Sequence, residues 1–176
     1  MKFATPKALQ AGTMQERETK VDERIKFFSR TAAAEGAVTG AGGILLGLAD
    51  FPLWLTVKMK MLFEIAALYG FDVKNYKERI YLLYIFELTF SSQANRRRVF
   101  SILNDWDNHA AQLPDDIHQF DWRSFQQEYR DYIDLAKLLQ LVPGIGAVVG
   151  ALVNHRLTNK LGEMAKNAYR LRLLRV

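Results

Sequence analysis

The chain has 176 residues, 49% of them hydrophobic, and carries 24 Lys and Arg against 19 Asp and Glu, a net charge of +5. That length suits one domain burying about two-thirds of its unfolded surface, and the positive balance favours anionic partners, lipid and nucleic acid alike. The absence of cysteine excludes disulfides, thiolate zinc sites and a cysteine nucleophile.

Residues 1–13 contain Pro6 and Gly12, show no hydrophobic period and lack the apolar run of a secretory signal. They read as a mobile tail on a protein expected in the cytoplasm, with a single domain over 14–176. From Met14 the pattern turns helical, with Val21, Ile25 and Phe28 at i, i+4 and i+7. The stretch Ala34–Leu55, AEGAVTGAGGILLGLADFPLWL, follows. On a helix Gly36, Gly40, Gly43 and Gly47 fall within a stripe of roughly 60°, with Asp50 at its edge. Five glycines between Gly36 and Gly47 cost such a helix about 4 to 5 kcal/mol relative to alanine. Close packing against another helix, or an apolar surrounding, must offset that. The spacings Gly36/Gly40, Gly43/Gly47 and, in a second apolar block, Gly146/Gly150 are small-xxx-small pairs of the kind that let backbones touch. Leu45 stands where a dinucleotide fold needs glycine, and no Gly-Lys-Ser/Thr follows for a P-loop.

Leu53–Tyr69 reads as a helix ended by Gly70, with a narrow polar stripe of Thr56, Lys60 and Glu64 and with Lys58 on another face. Gly36–Tyr69 then forms a helical hairpin turning at Asp50 and Pro52. Uncharged runs of 14 residues (Gly36–Ala49) and 13 (Leu141–Val153) fall short of the about 20 a membrane span needs. Asn75 and Glu78 have capping-box spacing, and Ile80–Phe90, apolar almost all round, predicts a buried helix. Gln93–Leu113 is read as one more polar helix carrying Arg96, Arg97 and Arg98, ended at Pro114. Another helix is expected over Trp122–Leu141. The second glycine block, LVPGIGAVVGALVNHRL, leads into a basic helix with Arg156, Lys160, Glu163, Asn167 and Arg170 on one face. Without strand alternation or solenoid repeat, the fold class is all-α: a compact helical bundle in which two Gly-rich apolar helices pack closely.

Glu35 and Asp50 are the acids of the first glycine block. Fifteen residues apart on one helix, they are separated by about 22 Å and form no acid/base dyad. Each is read as a binding or pairing residue, Asp50 also as a cap. His109, His118 and His155 have no metal-ligand spacing, and no Gly-x-Ser-x-Gly is present. No metal, cofactor or catalytic residue is expected. Three successive arginines point in different directions on a helix, and no nucleic-acid-binding motif accompanies them, which disfavours nucleic acid.

EGAVTGAGGILLGLADFPLW, the spacing to IAALYGFDV and KERIYLL, and VPGIGAVVGALVNHRL with AYRLRLL resemble the EcsC family of bacterial proteins over most of Glu35–Leu174. The family takes its name from a locus that also encodes an ABC transporter. The resemblance therefore implies membrane-linked biology, a transporter-linked membrane partner among its forms, and supplies no catalytic residues. Residues and resemblance together lead to a non-catalytic protein, peripheral or partly inserted at the membrane, that binds lipid or a membrane protein. Lys58, Lys60, Arg156, Lys160 and Arg170 are its candidate headgroup ligands. The alternative is a soluble module holding an apolar small molecule or fatty acid beside the glycine stripe, and an enzyme using Glu35 or Asp50 ranks third.

Overall fold

The structure, a computed structural model, describes residues 6–49, 51–91, 93–123 and 147–174, with side chains except at 39–49, 51–52, 93–94 and 147. The described residues form six α-helices: α1 (Met14–Ala49), α2 (Phe51–Leu68), α3 (Tyr76–Phe90), α4 (Gln93–Asn104), α5 (Trp106–Gln112) and α6 (Ala147–Leu173), with a 3-10 turn at Ile117–Gln119. Among them there is no strand.

Helix α1 starts on a reciprocal cap. The Thr13 hydroxyl accepts from the Glu16 amide at 3.2 Å, and the Glu16 carboxylate accepts from the Thr13 amide at 2.8 Å. These bonds hold the Glu16 carboxyl below its usual range. The helix then runs unbroken through the glycine block to Ala49. Its Val21, Ile25 and Phe28 are buried, as their spacing predicts.

Helix α2 turns back along α1, and Arg24 pairs with Glu64 across the two. It ends in a Schellman turn: the Phe71 amide bonds the Ala66 carbonyl and the Gly70 amide bonds the Ala67 carbonyl, each at 3.0 Å. Gly70 has φ +95°, a conformation that glycine alone adopts without strain. Residues of the N-terminal segment cover this end, with the Leu9 amide bonding the Ala67 carbonyl at 2.7 Å and Arg17 bonding the Leu68 carbonyl at 3.0 Å.

The apolar α3 is buried on nearly all sides, from Glu78 to Thr89. Asn75 caps it by accepting from the Lys77 amide at 3.0 Å, but Glu78 does not complete the expected capping box. Its carboxylate turns inward, accepting from the Tyr169 hydroxyl at 2.5 Å and pairing with Arg172 at 2.8 Å. The single helix expected over Gln93–Leu113 is two, broken at Asp105, whose φ of −120° and ψ of 44° leave helical space. The break turns Trp106 into the core against Tyr81 and Tyr84, while Asn108 bonds the Asp105 carboxylate at 2.7 Å. A helix does begin at Trp122, but 124–146 lie outside the described residues.

Helix α6 returns antiparallel along α1, with Glu18 paired to Arg170, Asp22 to Lys166, Gly162 set against Ile25 and Gly150 against Gly36. At the lower end of this seam the rings of Tyr69, Phe71, Tyr81 and Tyr169 pack together. The bundle therefore has an aromatic, ion-paired end and a glycine-rich end.

Candidate functional site

At the glycine-rich end α1 and α6 approach to backbone contact. A Cβ added at Gly36 would lie 2.4 Å from the Gly150 carbonyl oxygen and 2.9 Å from Asn154 Cβ. Ser29 and Ala32 continue the α1 side of this seam, and both are buried. Missing side chains here admit a neighbouring helix and leave no room for a ligand beside Gly36. Gly40, Gly43 and Gly47 lie on the helical backbone of α1, but their surroundings fall outside the described residues, as do Gly146 and Asp50 altogether.

One turn beyond Gly150 on α6, Asn154 joins three helices. Its Nδ2 donates to the Ala32 carbonyl at 2.6 Å and lies 3.4 Å from the Glu35 carboxylate, while its Oδ1 accepts from Lys58 Nζ of α2 at 2.7 Å. Lys58 is fully buried and sits over the Trp54 ring, 3.9 Å from its centre. Burial pushes its ammonium down to about 7, against a smaller upward pull from Glu35. Lys58 is therefore an internal tie, not the surface headgroup ligand read from its sequence position. Glu35, half-buried, belongs to the same cluster.

Beyond this cluster the bundle surface turns apolar. Val38 of α1, Leu53 of α2 and Val148, Val149 and Leu152 of α6 are 67%, 51%, 81%, 47% and 47% exposed. The antiparallel register sets Val38 level with residues near Gly150, and Leu53 precedes Lys58 toward the same end. Lys60, Arg156 and Lys160 are exposed. Partial desolvation by its neighbours lowers the ammonium of the exposed Lys160, and the charge of Arg96 on α4 lowers it further. Arg170 lies at the opposite end, where its hydrogen bond to Glu18 raises the guanidinium and holds the Glu18 carboxyl down.

Three buried polar residues were not singled out as site residues from sequence. Asn154 continues the four-residue step of Gly146 and Gly150, which was the signal for its face. Glu78 was read only as a cap. Glu87, fully buried on α3, accepts from Arg98 at 2.7 Å and from Asn95 at 3.0 Å, and nothing in its apolar neighbourhood marked it. Among the described residues no group of His, Asp and Glu is arranged to hold a metal, and no helix is long and apolar enough to cross a membrane.

The profile of the EcsC protein family matches residues 2–174. Protein EcsC of Bacillus subtilis (strain 168) is 47% identical over 163 residues, 93% of this chain and 66% of that protein. Uncharacterized protein YdbA of the same organism is 33% identical over 150 residues, 82% of this chain and 53% of its own length. The chain thus spans between half and two-thirds of these relatives. No solved structure matches it.

Proposed function

The chain belongs to the EcsC family, and from that premise we propose that it is a non-catalytic helical protein that associates with a membrane, binding lipid or a membrane protein through its glycine-rich end. The observation that carries this reading is the gathering of Val38, Leu53, Val148, Val149 and Leu152, exposed on three helices at one end of the bundle. Scattered surface apolar residues are ordinary, but a group at one pole marks a contact surface. No described helix is long and apolar enough to span a bilayer, and the association proposed is peripheral or partly inserted.

Among the described residues the apolar-ligand alternative has less support. An open recess of about 370 Å³ lined by Met14, Arg17, Tyr69, Leu173 and Leu174 lies at the opposite end of the bundle, and Gly36 is filled by Gly150 and Asn154.

Flotation of the purified protein with neutral and anionic liposomes, at low and high salt, tests the proposal. Co-flotation is expected. Protein that stays at the bottom of the gradient in every condition overturns it.

A further inference from the structure

Resting on that reading, we infer that the surface met by the glycine-rich end is an anionic phospholipid bilayer, whose phosphates are met by a belt of exposed cations. The belt is formed by Arg30 of α1, Lys60 of α2, Arg96 of α4 and Arg156 and Lys160 of α6, all exposed. Each of the three helices that reaches the apolar end contributes to it. Arg156 lies one turn from Leu152, a rise of about 6 Å, and Arg30 and Lys160 lie about 12 Å from Val38 and Leu152 along their helices. Beyond Val38, α1 runs on to Ala49, a further rise of about 16 Å.

Arg24, Lys166, Arg170 and Arg172, toward the aromatic end, are each matched to a carboxylate. The five belt cations have no ion-pair partner among the described residues. In α1 after Arg24, in α2 before Glu64, in α4, and in α6 before Glu163, the only acid in the sequence is Glu35, which faces the buried Asn154 and Lys58. Arg96 and Lys160 are moreover close enough to repel. Like charges from two helices, with no carboxylate paired to them among the described residues, cost the folded protein and are relieved by an external anion. An apolar groove on another protein would satisfy the apolar end and leave this belt unmatched. A bilayer whose phosphates lie just outside its acyl region satisfies both.

The test uses the full chain with vesicles of phosphatidylcholine alone or with phosphatidylglycerol added. Glutamine replaces Lys60, Arg156 and Lys160, singly and together, with Lys20→Gln at the acid-rich end as control. These side chains are exposed, and circular dichroism verifies that each variant folds. Each single substitution is expected to lower affinity for the anionic vesicles about fivefold, and the triple variant about a hundredfold, with Lys20→Gln unchanged. Because the chain has no cysteine, a Val149→Cys variant carries one polarity-sensitive fluorophore, which is expected to report an apolar setting on anionic vesicles. Equal affinity for both vesicle types, or a triple variant that binds as well as the parent, overturns the belt while leaving membrane association standing. A label that stays in water overturns the pose. Failure to bind any vesicle removes the underlying reading together with this one.

Discussion

Replacing Gly36 with alanine puts one methyl group where two backbones meet. The new Cβ would lie 2.4 Å from the Gly150 carbonyl oxygen and 2.9 Å from its carbonyl carbon. Ordinary contact lies near 3.4 Å or beyond, so α1 and α6 must part locally by about 1 Å, and neither atom belongs to a side chain that can rotate away. Alanine recovers about 1 kcal/mol of helix propensity. Against this stand about 1 to 3 kcal/mol of overpacking and the weakening of the buried bond from Asn154 to the Ala32 carbonyl, whose loss costs about 1 to 3 kcal/mol. The net is a destabilisation of about 1 to 5 kcal/mol, or roughly 2 to 20 °C in Tm for a domain of this size. Urea unfolding followed by circular dichroism measures it. Gly162→Ala probes the same pair of helices lower down, where the three atoms nearest the added Cβ all belong to Ile25, at 2.6 to 3.0 Å. Ile25 is buried and stiff at χ1, so a loss of about 1 to 3 kcal/mol is expected there too. A Gly36→Ala protein as stable as the parent would refute the seam.

The buried Lys58 makes stability pH-dependent. Its ammonium titrates at about 7 in the fold and near 10.4 in the unfolded chain, so the unfolded state binds more protons between those values. The contribution is therefore least favourable below pH 7, and wild-type stability gains up to about 1.4 kcal/mol per pH unit above it. Lys58→Met lacks this slope; urea midpoints for the two proteins that run parallel from pH 7 to 9.5 would contradict the assignment. Gly70→Ala strains a left-handed residue and crowds the Leu9 carbonyl, 3.2 Å from the added Cβ, for an expected loss of about 1 to 2 kcal/mol. An unchanged melting temperature would show that the turn does not need glycine. Arg172→Met leaves the buried Glu78 carboxylate without its cation and is expected to cost about 3 kcal/mol in chemical denaturation. A neutral outcome would mean that Tyr169 alone satisfies it.

What could be read in advance was periodic and local. The spacing of Val21, Ile25 and Phe28 located a core face, the apolar circumference of Ile80–Phe90 marked a buried helix, and Gly70 announced a helix end. Contacts between distant helices were less legible. Grouping Gly36 with Gly40 and Gly43 with Gly47 described one helix, whereas the observed partner of Gly36 is Gly150, more than a hundred residues away. Lys58 looked like a surface cation because lysine normally is one; its place off the Thr56, Lys60 and Glu64 stripe was the sign that it pointed elsewhere. The break at Asp105 carries neither glycine nor proline and follows from where Trp106 must go. Thr13 and Glu16 had the spacing of a cap, but it was hidden in a segment read as a tail.

The pairing of α1 with α6 also sets an order of events during synthesis. Gly36 leaves the ribosome more than a hundred residues before Gly150, an interval of roughly 6 to 24 s at ordinary elongation rates. Throughout it the nascent glycine-rich hairpin has no α6 to lie against. The backbone seam of Gly36 and Gly150 can therefore close only once the chain through α6 has been made.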